Sequence, residues 1–162
     1  MNAFFRTIIL LVLLVTLNSM KCEEIIESSA YTSVTMDRDD FENAVTLLPA
    51  QPIVKSGKIY IIDELMFVND VDRGFHVFDY ANPSSPLAIG FINIPGATDL
   101  TIRNNIIYIN QAVDLVTLSY NPVSNQMNVL FRNRNVFPPE ISPDGFFYQT
   151  DSNKIVLNWI ED

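Results

Sequence analysis

His76 and Asp79, three positions apart in Phe75-His76-Val77-Phe78-Asp79, are the side chains whose types first invite chemistry. His76 is the single histidine, so a metal held by two imidazoles is excluded. A nucleophile–histidine–acid relay would need partners that nothing in the spacing points to. A structural place in a strand or at its rim suits His76. Asp79 opens the turn Asp79 to Pro86 (DYANPSSP), where an aspartate accepts hydrogen bonds from the turn backbone. Asn82-Pro83 in that turn, and Asn121-Pro122 further on, read as turn formers.

Two acidic groupings suggest other chemistry. The run Asn69-Asp70-Val71-Asp72-Arg73-Gly74 clusters oxygen donors as a calcium loop does, but Gly74 stands where the third ligand belongs and Arg73 adds repulsion. An ordinary polar loop is the simpler reading. Asp99 and Asp114 could pair as glycosidase carboxylates. Each sits beside a leucine at a strand edge, where turn and strand-end capping accounts for it. Gly57-Lys58 lacks the upstream glycine of a phosphate loop. No catalytic, cofactor-binding or metal-binding residue is assigned from the sequence.

The elements that carry these residues are short strands. Ile59 to Ile62 and Leu65 to Val68 flank Asp63-Glu64 as a tight hairpin would. Phe75 to Tyr80 and Leu87 to Ile94 follow, closed by Pro95-Gly96. The plan recurs about 40 residues on, the length of a propeller blade. Leu100 to Ile102 and Ile106 to Ile109 flank Asn104-Asn105, and asparagine accepts the positive φ of such turns. Leu65 matches Ile106, Phe67 matches Tyr108, Phe75 to Phe78 match Leu115 to Leu118, and Phe91 matches Phe131. A third copy begins after Pro138-Pro139, with a turn at Asp144-Gly145 and strands at Phe146 to Gln149 and Ile155 to Ile160. Several strands are apolar on both faces, as stacked blades require. Ahead of the repeats, Asp37 to Leu48 has a helical stripe of Phe41, Ala44, Val45 and Leu48, ended by Pro49, with Asp37 as a candidate cap. The fold expected is all-β: about two and a half propeller-like blades of four-stranded antiparallel sheets, an incomplete ring, and one short N-terminal helix. Its parts are 22–56 (tether and helix), 57–97, 98–138 and a partial blade over 139–162.

Residues 1–21 stand apart. Arg6 precedes the apolar run Ile8 to Val15, too short to span a bilayer, which reads as a signal peptide; an uncleaved anchor is the alternative. Cys22 is the only cysteine, so no intrachain disulfide can form. Its place directly after the apolar run also suits the lipid-acceptor residue of a bacterial lipoprotein, although Lys21 replaces the usual small residue; an ordinary cleaved signal with an incidental cysteine remains open. Ten Lys and Arg stand against nineteen Asp and Glu, without a basic cluster, which argues against nucleic acid as a partner. Apolar residues make up 48%, enough for a packed core.

Over roughly residues 31–160 the chain resembles the LVIVD-repeat proteins, exported β-propeller-like lipoproteins of Bacteroidetes-type bacteria. The resemblance lies in Phe75-His76-Val77-Phe78-Asp79 and Leu115-Val116-Thr117-Leu118-Ser119, in Gly57-Lys58-Ile59-Tyr60, in the Asn82 to Pro86 turn, and in Ile94-Pro95-Gly96. Asp114-Leu115-Val116 and Asn135-Val136-Phe137-Pro138 extend it, while Ser119 departs from the family's aspartate. It implies an N-terminal portion of a longer propeller, with no catalytic residues to carry over. The expected function is therefore non-enzymatic: a module at the cell envelope, outer membrane or periplasm, lipid-anchored through Cys22, that binds or scaffolds. Its partners would be a protein or glycan, the membrane through the anchor, and other copies through uncovered blade faces. The alternatives are an extracytoplasmic glycan-directed enzyme using Asp99 or Asp114, and a truncated fragment.

Overall fold

A computed structural model describes residues 29–148 and 153–162; residues 1–21, expected above to be a signal peptide, and Cys22 lie outside these. The described residues are all-β with antiparallel sheets and one short helix. Strand β1 (Tyr31–Asp37) leads into helix α1 (Arg38–Asn43) and strand β2 (Thr46–Leu48). Four strands follow as a meander: β3 (Ser56–Ile62), β4 (Leu65–Asp70), β5 (Gly74–Asp79) and β6 (Leu87–Asn93). A second meander comprises β7 (Ala97–Arg103), β8 (Ile106–Gln111), β9 (Asp114–Asn121) and β10 (Gln126–Asn133), and β11 (Lys154–Glu161) is last. The first sheet is ordered β2-β6-β5-β4-β3 and the second β10-β9-β8-β7, while β1 pairs with β11 in a two-stranded sheet.

The turns follow from residue type. Asp63, Asn104 and Asn105 take φ of 50°, 50° and 63°, the left-handed region that Asn and Asp tolerate best. Alternation then sets the faces. Phe67, Phe75, Val77 and Ile92 from the first sheet pack against Leu100, Ile107, Ile109, Val116 and Leu118 from the second, forming the main core. Each such side chain contributes roughly 1.5–3 kcal/mol by leaving water, which holds the two sheets face to face.

The helix is shorter than its stripe suggests. Only Arg38–Asn43 is helical, and Thr46–Leu48 adds an edge strand to the first sheet beside Phe91–Asn93. Unpaired backbone groups on the β6 edge and β-branched Val45 and Thr46 favour extension there, and Asn93 Nδ2 holds the Ala44 carbonyl at 2.6 Å. Asp37 makes no side-chain cap bond. The strand expected from Phe146 is absent at Phe146–Tyr148, and Gln149 lies outside the described residues.

Coverage of both faces is uneven. On the outer side of the first sheet Val68, His76 and Phe91 are buried, yet Ile59 and Ile61 remain 60% and 55% exposed. Burial alternates along β8 and β9, because the second sheet is packed on one side only. The match of Phe91 with Phe131 is off by one residue. Phe91 pairs with His76, whereas Phe131 pairs with Thr117 and so takes the place of Gly90, which pairs with Val77. Irregularities in the two pairings, after Val77 and between Val129 and Phe131, absorb the difference.

Candidate binding site

The hairpin turns Asp63-Glu64 and Asn104-Asn105 stand at the same end of the packed sheets, and between them the core opens into a cleft of about 590 Å³. Ile62, Leu65 and Phe67 wall it on one side, and Ile102, Ile107 and Tyr120 on the other. Strand alternation aims these side chains inward, since Ile62 pairs with Leu65 and Ile102 with Ile107. Asp63 and Glu64 supply the charged groups of the lining, and among the described residues no cation lines the cleft. Tyr120 donates its hydroxyl to Asn125 Oδ1 at 2.8 Å, and burial raises its pKa. An apolar floor with few polar groups suits ligand capture better than bond-breaking, for which a positioned nucleophile and base are needed.

Of the polar residues singled out from the sequence, Asp70 and His76 meet in one network, while Asp79, Asp99 and Asp114 each lie in another. Asp70 is fully buried: its carboxylate accepts from the Lys55 amide at 2.7 Å, the Val54 amide at 3.2 Å and Arg73 Nη1 at 2.7 Å. His76 Nε2 lies 3.1 Å from the same carboxylate, its ring stacked obliquely on Phe91. Burial pushes the Asp70 pKa up, but these hydrogen bonds outweigh it and hold the carboxyl below its ordinary value. Asn69 points to the opposite face and donates to the Gly74 and Ala97 carbonyls. The loop from Asn69 to Gly74 therefore spreads its oxygens instead of converging them on one point. Among the described residues no cluster of three His, Cys, Asp or Glu could hold a metal.

Asp99 and Asp114 share no partner. Asp99 spans the junction between the sheets, accepting from Lys58 Nζ at 2.6 Å and from the Tyr60 hydroxyl, which lower its pKa against a smaller effect of burial. Burial and this hydrogen bond push Tyr60 up to about 12. Asp114 is fully buried and accepts from Arg38 Nη1 at 2.6 Å, Arg132 Nη1 at 2.8 Å and the Asn135 amide at 3.0 Å. Burial opposes its ionisation, and these partners win, lowering its pKa. Both guanidiniums also lie 5.3–5.6 Å from the Phe41 ring centroid, and Arg132 reaches Gln111. Sequence reasoning missed this network, whose members come from three distant segments. A leucine-flanked acid at a strand start was its one visible sign.

The turn residues behave as their types dictate. Asp79 Oδ1 accepts from the Ala81 amide at 2.9 Å, Asn82 Oδ1 from Ser84 at 3.2 Å, and Asn121 Oδ1 from Val123 at 3.0 Å. Pro83 follows Asn82 in its turn, and Pro122, after Asn121, also lines the cleft. No family model, curated protein or solved structure matches the chain. Among the described residues no helix is long and apolar enough to cross a membrane.

Proposed function

We propose that the protein is an exported, envelope-attached module of β-propeller-type blades that acts by binding or scaffolding and has no catalytic activity. One observation carries the reading. The acids and the histidine that could react are held by hydrogen bonds that maintain the fold, while the open cleft is apolar with an acidic rim. Two four-stranded meanders packed face to face, with β3 beside β7, also suit adjacent blades. Export and lipid attachment rest on residues 1–22.

The ligand class that fits the cleft is a protein segment or glycan offering an apolar face and a positive or hydrogen-bond-donating edge to Asp63 and Glu64. The test is a binding screen of immobilised envelope glycans and basic peptides against the full chain and against Leu65→Arg. Retention of a probe by the parent and its loss in the variant supports the reading. Turnover of a glycan that disappears in Asp99→Asn or Asp114→Asn would replace it with an enzyme.

A further inference from the structure

We propose that the outer face of the second sheet docks on the outer face of the first sheet of another copy of this chain, head to tail. The inference rests on the propeller-type reading and deepens it by naming the partner of the uncovered faces. Its basis is register. Phe67 pairs with Val77 and Asn69 with Phe75 on the core side of the first sheet. Forty or forty-one positions on, Tyr108 pairs with Thr117 and Asn110 with Leu115 in the same order, but these four residues are half-buried on the outward side of the second sheet. The surface that the first sheet buries is thus presented outward by the second. The converse holds too: Ile59 and Ile61 are exposed on the first sheet, whereas Leu100 and Ile102, 41 positions on, sit in the junction.

Two polar observations point to the same occupant. Asn69 uses its amide to reach across the junction to the Ala97 carbonyl. Asn110 holds the matching place in the second sheet, pairing with Leu115 as Asn69 pairs with Phe75. A second copy would bring its Ser56 backbone, the match of Ala97, to this position, where the Ser56 carbonyl would accept from Asn110 Nδ2 as the Ala97 carbonyl accepts from Asn69 Nδ2. Charge agrees. Within the chain Lys58 meets Asp99 across the junction, and Asp99 lies 41 positions after Lys58. Repeating the contact between copies sets Asp99 of one against Lys58 of the next, opposite charges in series. Such a heterologous contact builds a closed ring or an open chain.

Light scattering on the full chain in mild detergent, beside Tyr108→Arg and Ile61→Arg, is the test. Each variant blocks one face, so the parent assembles with rising concentration and each variant alone is monomeric. Mixing the two variants leaves one compatible pair of faces and yields a one-to-one dimer, which a misfolded variant could not form. A monomeric parent, or a mixture that stays monomeric, overturns the proposal. A monomeric parent still found in the envelope fraction would sink the interface alone, whereas an assembly confined to the cytoplasm would sink the proposed function alone.

Discussion

Arg38 Nη1 lies 2.6 Å from Asp114 Oδ2, although 76 positions separate the two residues. The bond fastens the segment ahead of the first sheet to the second sheet, with Phe41 packed beneath both arginines. Replacing Asp114 with Ala strands Arg38 and Arg132, whose side chains are only 13% and 11% exposed. The expected loss is about 3 kcal/mol, as for other buried pairs broken on one side. Urea unfolding measures it; a midpoint shift corresponding to less than about 0.5 kcal/mol, a surface-substitution effect, would contradict the assignment.

Asp70 and Asp114 both have lowered pKa values in the folded chain. A depressed carboxylate stabilises the fold above its unfolded pKa, about 3.9, and that contribution is lost as pH falls through the folded value. Stability should therefore drop below about pH 4. In Asp70→Asn/Asp114→Asn the same acid titration, followed by circular dichroism, should be flatter from a lower starting stability. An acid limb as steep as the parent's would count against these two acids.

Tyr60 should titrate near 12 because it is partly buried and donates to Asp99. A raised folded pKa stabilises fully below the unfolded value of about 10 and is lost as pH rises through 12. Asp99→Asn removes the anion, and phenolate absorbance should then show the Tyr60 midpoint moving down toward 10. An unchanged midpoint would show that Asp99 does not set it.

Gly74, at the tip of the β4–β5 hairpin, has φ of 146°, and a Cβ there would lie 2.0 Å from the Ile92 carbonyl oxygen. Gly74→Ala should cost about 3 kcal/mol through this backbone clash. Asn104→Gly, by contrast, keeps a turn that already has φ of 50° and should change stability by less than about 0.5 kcal/mol. Thermal unfolding of the two variants separates a steric requirement from a conformational one.

What the sequence disclosed and what it hid follow from the range of the interactions. Strands β3 to β9 were legible because short apolar runs and the turns at Asp63-Glu64 and Asn104-Asn105 are local signals. Thr46–Leu48 was not, since three residues inside a helical period carry no strand signature and its partner Phe91–Asn93 lies more than 40 residues away. The pairing of Tyr31 with Glu161 joins segments 130 apart, which no local pattern encodes. At the site, Asp79, Asn82 and Asn121 were readable because they bond within their own turns. The cleft depends on how two sheets splay, and Asp70 and Asp114 owe their states to partners that only tertiary packing supplies.

The proposed place of the chain is outside the cytoplasm, attached to the envelope. Fractionation of cells expressing the tagged chain and its Cys22→Ser variant tests it most directly. The parent should be found in the membrane fraction and the variant released into the periplasmic or culture fluid. A parent chain recovered from the cytoplasm with residues 1–21 intact would contradict it.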